Sequence, residues 1–191
     1  VDWHGSDGWT ALHVAARRGY GAAVDALLER GADPNAVREP GGTPLHCACG
    51  SGRLGIARSL VGHGAQVNAV TKQGTTPLHF ACGHKPELAL FLLDNGADLS
   101  LTDERGCDAH CIAVQNGHAA FLYLLQQHRK LDPNALDNDG HTLLVWAAYK
   151  GHLHLVRYLK EICGVPHTVL DKQKRHALHW AAREGHTEVC A

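Results

Sequence analysis

An all-α solenoid of six stacked helix–turn–helix repeats is the fold class this chain predicts, on three observations. The tetrads Thr10-Ala11-Leu12-His13, Thr43-Pro44-Leu45-His46 and Thr76-Pro77-Leu78-His79 recur almost unchanged. Aligned on their third position, six copies fall at Leu12, Leu45, Leu78, His110, Leu144 and Leu178, spaced 33, 33, 32, 34 and 34 residues. Each copy is followed by small residues, a second apolar stripe and a turn segment, the sign of a unit that buries its apolar face only against its neighbours.

The first repeat shows why the segments fold locally. Thr10 stands where a helix begins, and its hydroxyl can satisfy an orphan amide. Pro44 and Pro77 take the first helical position in the next two repeats, where the missing N–H costs nothing. Leu12, Ala15 and Ala16 form a short apolar stripe, with alanines small enough to let a partner helix approach. Gly19 can close that helix in the left-handed region. Val24, Leu27 and Leu28 mark one face of a second helix, which Gly31-Ala32-Asp33-Pro34-Asn35 breaks. Helices this short are marginal alone and gain stability by stacking.

The expected boundaries are 5–37, 38–70, 71–102, 103–136, 137–170 and 171–191, one array over 1–191. Several repeats depart from the pattern. The third has Lys85-Pro86 in place of the loop glycine, which predicts a reshaped turn. The fourth reads Asp108-Ala109-His110-Cys111: Asp108 can still cap, and His110 is either a hydrogen-bonded core residue or a ligand-facing, pH-sensitive defect. The connection Gln126–Leu131 and the exit 163–169 are both irregular. The last residues, Cys190-Ala191, fall partway through a second helix, leading us to expect a piece of a longer protein that continues into further domains.

With 18 basic and 19 acidic residues, the net charge of −1 gives no global field to recruit nucleic acid or an anionic membrane. No apolar run approaches the roughly 20 residues of a membrane span. Seven cysteines, an odd number, suit reduced thiols and a cytosolic location better than a disulfide framework.

Sixteen histidines invite a metal reading, but motif membership explains His13, His46, His79 and His179, and Gly-His pairs explain His118, His152 and His186. His152/His154 and Cys47/Cys49 point apart on a helix. Cys107 and Cys111 span a turn–helix junction without a partner pair. No nucleophile–base pair, phosphate loop or H-E-x-x-H occurs. The expectation is a non-catalytic chain with neither cofactor nor metal.

A T-P-L-H-x-A motif at this period resembles the ankyrin repeat, and the likeness covers essentially the whole chain. The resemblance implies an ankyrin solenoid whose first helices line a concave face, where a protein or extended peptide binds. Phe80, Trp146 and Trp180 follow the motif on those helices and are either core filler or anchors of a groove. His84, Gln115, Asn116, Tyr149 and Lys150 hold variable ends of the same helices, while Lys72 and Arg105 hold hairpin tips. These ten are the candidate partner-binding residues.

Gly106-Cys107, Ala113-Val114-Gln115-Asn116-Gly117-His118, Trp146-Ala147-Ala148-Tyr149-Lys150-Gly151 and Ala177-Leu178-His179-Trp180-Ala181-Ala182 occur in succession. Residues 106–191 thus resemble the ankyrin arrays of DHHC-type protein S-acyltransferases. That likeness implies a parent enzyme with membrane spans and a zinc-bound, cysteine-rich domain moving palmitate from acyl-CoA to client cysteines. The array would recruit clients on the cytosolic face of an internal membrane such as the Golgi. His110-Cys111 is not the catalytic signature, which needs Asp-His-His-Cys. In members that bind client peptides, an aromatic after Leu-His in an early repeat lines the groove; here that place belongs to Phe80, preceded by Cys47 and Ser51. Two alternatives stay open: a segment regulating a neighbouring domain of its own chain, and a free-standing ankyrin adaptor.

Overall fold

The computed structural model describes residues 8–39, 41–84, 86–127 and 132–191. Lys85 and the connection from 128 to 131, where irregular loops were expected, lie outside the described residues. The chain divides into two compact bodies, Val1–Asp103 and Glu104–Ala191, each holding three repeats. Among the described residues helices account for all regular structure; an isolated antiparallel bridge joins Arg38 and Gly42.

In the N-terminal body the helices are α1 (Ala11–Arg18), α2 (Gly21–Glu29), α3 (Pro44–Gly50), α4 (Leu54–Gly62), α5 (Pro77–Ala81) and α6 (Pro86–Asp94). The first helices form one row, with α3 packed between α1 and α5; the second helices form another, with α4 against α2 and α6. Leu12, Leu45 and Leu78 are fully buried in the first row, and Val24, Leu28, Ile56, Leu60, Leu88 and Leu92 in the second. Each such leucine contributes about 2 kcal/mol relative to exposure. Alanine and cysteine between them (Ala16, Ala48, Cys49, Ala81, Cys82) are equally buried, so the rows approach closely. Gly19 ends α1 at φ 85°, its N–H bonded to Ala15 O. α5 is only five residues long.

The C-terminal body comprises α7 (Ala109–Gln115), α8 (Ala119–Gln127), α9 (Leu143–Tyr149), α10 (Leu153–Arg157), α11 (Ala177–Glu184) and α12 (Thr187–Cys190). Here α9 packs between α7 and α11. α10 widens into a π-helical turn, Tyr158–Ile162, closed by Cys163 N–H on Tyr158 O. The widening keeps Tyr158 and Leu159 both buried at the irregular exit. Leu144 is buried like its counterparts, whereas Leu178 is 49% exposed.

The six first helices start at Thr10, Thr43, Thr76, Asp108, Thr142 and His176, the register read from the motif. Asp108 caps α7 through Cys111 N–H at 2.9 Å. Its other oxygen lies 2.8 Å from His110 Nδ1, so the buried His110 is a hydrogen-bonded core residue.

Candidate functional site

The motif histidines serve as fasteners. Thr10 N–H donates to His13 Nδ1 (3.3 Å), and Thr43 and Thr76 do the same to His46 (3.1 Å) and His79 (3.2 Å). An Nδ1 that accepts a backbone proton leaves the ring proton on Nε2. From there His13 donates to Gly42 O and His46 to Thr75 O, each at 3.1 Å, tying each repeat to the loop of the next. Burial pushes His13 below its ordinary pKa and His46 down to about 4, so both stay neutral.

A second set of histidines works at the other end of the first helices. His152 Nε2 donates to Gln115 O (3.2 Å), His186 Nε2 to Tyr149 O (2.9 Å) and His84 Nε2 to Gly50 O (3.0 Å). Gly151 is required beneath His186, since a Cβ there would lie 2.6 Å from the ring. His84 is thus an inter-repeat tie, its Nε2 committed to the Gly50 carbonyl.

Repeats 5 and 6 also build a hollow of about 390 Å³ in the C-terminal body. Asp137 and Asp171 each open a turn, and each accepts two backbone N–H groups on Oδ1: Asp139 and His141 on the first, Gln173 and Arg175 on the second. Nine residues on, each repeat carries a tryptophan whose indole N–H donates back to Oδ2 of the same aspartate, at 3.0 Å in both Trp146–Asp137 and Trp180–Asp171. His141 lies between the two assemblies, Nδ1 2.9 Å from Asp137 Oδ2 and Nε2 3.4 Å from Asp171 Oδ2. Arg175 Nε adds a bond to Asp171 at 3.1 Å. Burial pushes the Asp171 carboxyl up, but the bonds from Arg175 N–H, the Trp180 indole and the Arg175 guanidinium outweigh it and hold the carboxyl below its usual range.

The clasp fixes an aromatic floor. Tyr149 stands edge-on to Trp146 (5.8 Å) and to Trp180 (5.5 Å), and His141 packs edge-on to both tryptophans (5.5 and 5.3 Å). Both tryptophans are half-buried: their N–H edges are anchored below and their rings line the hollow. The choice between core filler and groove thus resolves into both roles on one side chain, as the amphipathic indole allows. Gln115, Lys150 and Arg105 complete the lining with Val145 and Arg183.

Six of the ten sequence candidates therefore come together here: Arg105, Gln115, Trp146, Tyr149, Lys150 and Trp180. Phe80 lies elsewhere, 41% exposed in a smaller hollow of about 280 Å³ in the N-terminal body, beside Arg17, Arg38, Cys47 and Ser51. Asn116 is exposed, its side chain donating to Ile112 O at 2.8 Å, and does not line the hollow. Lys72 pairs with Glu39 on the surface and is likewise apart. Among the described residues no three His, Cys, Asp or Glu side chains gather as a metal site, and no helix is long and apolar enough to cross a membrane. The Cys107 and Cys111 sulfurs do lie 3.0 Å apart, both buried.

Comparison with known families agrees with this architecture. The profile of ankyrin repeats in three copies matches residues 37–103 and 110–191, and the single ankyrin-repeat profile matches 7–39. The chain belongs to the ankyrin-repeat family. Such arrays are protein–protein interaction modules. Among curated relatives, ankyrin repeat domain-containing protein 63 of Homo sapiens is 40% identical over 68 residues, covering 36% of this chain and 18% of that protein. Palmitoyltransferase AKR1 of Lachancea kluyveri is 33% identical over 64 residues, covering 32% of this chain and 9% of that protein. The aligned part of the ankyrin array thus spans under a fifth of the length of these relatives.

The sequence reading missed Asp137, Asp171, His141 and Arg175, the residues that position the tryptophans. The signal was present as an Asp-to-Trp spacing of nine in both repeats.

Proposed function

We propose that the hollow of the C-terminal body binds a peptide segment of a partner protein, with Trp146 and Trp180 as anchors and Tyr149, Lys150, Gln115 and Arg105 around them. The observation that carries this reading is the convergence of those six side chains on one surface built over a rigid clasp. Partly exposed, pre-oriented aromatics lose little entropy on contact, which suits them as hot spots. Panning a displayed library of random 12-residue peptides against the 191-residue chain tests it. Trp146→Ala and Trp180→Ala should each weaken retained peptides ~30-fold, the ~2 kcal/mol of a hot spot. Loss of folding with unchanged affinity per folded molecule would reject the assignment.

In its finer form, the array recruits protein clients for a membrane-bound protein S-acyltransferase and works on the cytosolic side of that membrane. The order of motifs over residues 106–191 and the likeness to palmitoyltransferase AKR1 support this reading. Sequencing the complete transcript tests it. Membrane spans around an Asp-His-His-Cys, cysteine-rich segment on the same chain are expected, and a full-length transcript lacking them would reject it.

A further inference from the structure

We propose that the partner segment taken by the Trp146–Trp180 hollow is acidic: it sets one or two carboxylates beside a bulky apolar side chain. The inference rests on the binding surface proposed above and adds the chemistry of its occupant. Three cations line the hollow, Arg105, Lys150 and Arg183, and no carboxylate does. This is a local concentration, because the whole chain carries a net charge of −1. The carboxylates beneath do not cancel it from inside the hollow. The Asp137 and Asp171 side chains are 3% and 0% exposed, and their oxygens are taken by backbone N–H groups, indoles, His141 and Arg175. Glu184 lies 3.5 Å from Arg183 in a largely exposed contact. Such a contact contributes little and yields readily to a better-placed anion.

The ring faces decide against the opposite charge. Aromatic faces attract cations, but those of Trp180 and Tyr149 already carry their own. Arg175 sits 4.0 Å and Arg183 5.1 Å from the Trp180 ring, and Lys150 5.2 Å from Tyr149. A lysine or arginine of a ligand would meet occupied faces and three like charges. A carboxylate instead meets N–H donors already oriented by the rings, while the apolar edges of Trp146 and Val145 receive its neighbour. A polyanion is a poorer fit, since a chain of net charge −1 offers no extended positive field to follow a phosphate backbone. The cationic and aromatic pairing recurs independently in the N-terminal body, where Arg38 lies 4.4 Å and Arg17 5.6 Å from the Trp9 ring, and both arginines line the hollow of Phe80.

The test uses the 191-residue chain, immobilised, and three pools of 12-residue peptides with a central Leu or Phe. In one pool two Asp or Glu residues flank it, in the second the matching Asn or Gln, in the third Lys. The acidic pool should be retained ~10-fold or more over its amide twin, with the difference lost in the double variant Lys150→Glu/Arg183→Glu, as for charge pairs that set specificity. Both positions are solvent-facing, and an unchanged circular dichroism spectrum confirms the fold. Equal retention of acidic and amide pools would overturn the acidic occupant while leaving the binding surface intact. Retention of the acidic pool unaltered by the double variant would place it at another site and overturn the proposal. Retention of no pool would sink both readings. Displacement of the acidic pool by an RNA 20-mer or phosphatidylserine vesicles, more effectively than by unlabelled peptide at equal charge, would overturn the peptide class.

Discussion

The two bodies of this ankyrin array solve one problem, fastening neighbouring repeats, in different ways. In the N-terminal body the solution is the threonine–histidine box, with a buried imidazole linking its own helix cap to a carbonyl of the next repeat. In the C-terminal body α7 and α9 have Cys111 and Val145 at the histidine position and lack that link, while α11 keeps the box through His176 N–H on His179 Nδ1. Backbone ties join the repeats there, Asn138 N–H to Arg105 O and Lys172 N–H to Asp139 O, with His141 bonded to Asp137 and its Nε2 3.4 Å from Asp171. The difference shows how a repeat protein acquires a site. In repeats 5 and 6 the aspartates that open the turns also orient the indoles, and in α11 Trp180 is so oriented beside a retained motif histidine, His179.

The largest effect should come from breaking the histidine fastener. His46→Ala removes a buried ring with bonds at both nitrogens and should cost ~3 kcal/mol in urea unfolding. The same residue gives the N-terminal body an acid weakness. The folded-state value is about 4 against 6.5 unfolded, so the unfolded chain takes up the proton first. Stability present above pH 6.5 is therefore lost as pH falls toward about 4, by ~3 kcal/mol from this residue, with His13 adding in the same direction. Urea midpoints between pH 7 and 4 should fall less steeply in the His46→Ala chain. Parallel curves would show that the imidazole is not the acid-sensitive part.

The clasp is the next target. Asp171→Asn keeps the shape but turns an acceptor into a partial donor facing the Trp180 indole and the Arg175 guanidinium, and should cost ~2 kcal/mol. Tryptophan emission should move to longer wavelength as the Trp180 ring loses its anchor. A variant that is destabilised without any change in emission would mean that the loop, and not the indole, depends on Asp171.

These targets differ in how far the sequence exposed them. The caps, the leucine rows and the helix register follow from local spacing, because threonine, proline and leucine there act on backbone a few residues away. The site was only half legible for the same reason. Trp146, Tyr149, Lys150 and Trp180 stand out as variable positions on a known face. Asp137 and Asp171 read as ordinary turn residues, since their second oxygens act on side chains nine residues on. His84 shows the same limit: in sequence it marks a variable helix end, and its bond to a carbonyl 34 residues back is not visible there. Pairings between repeats leave no local pattern, and only the fold displays them.

Lys72 provides the smallest expected effect and the cleanest control on the comparison. Its partner Glu39 also lies in the N-terminal body, a repeat away, so on paper the pair is another fastener between repeats. Yet the two side chains are 61% and 65% exposed, where water screens the attraction and both chains lose rotamer freedom to meet. Lys72→Ala should therefore shift the urea midpoint by less than the equivalent of ~0.5 kcal/mol, and that small shift should vanish in 0.5 M salt. A loss comparable to that of His46→Ala would mean that surface charge, and not the buried imidazole, joins the repeats of the N-terminal body. The contrast between the two bodies would then lie in their surfaces rather than in their helix interiors.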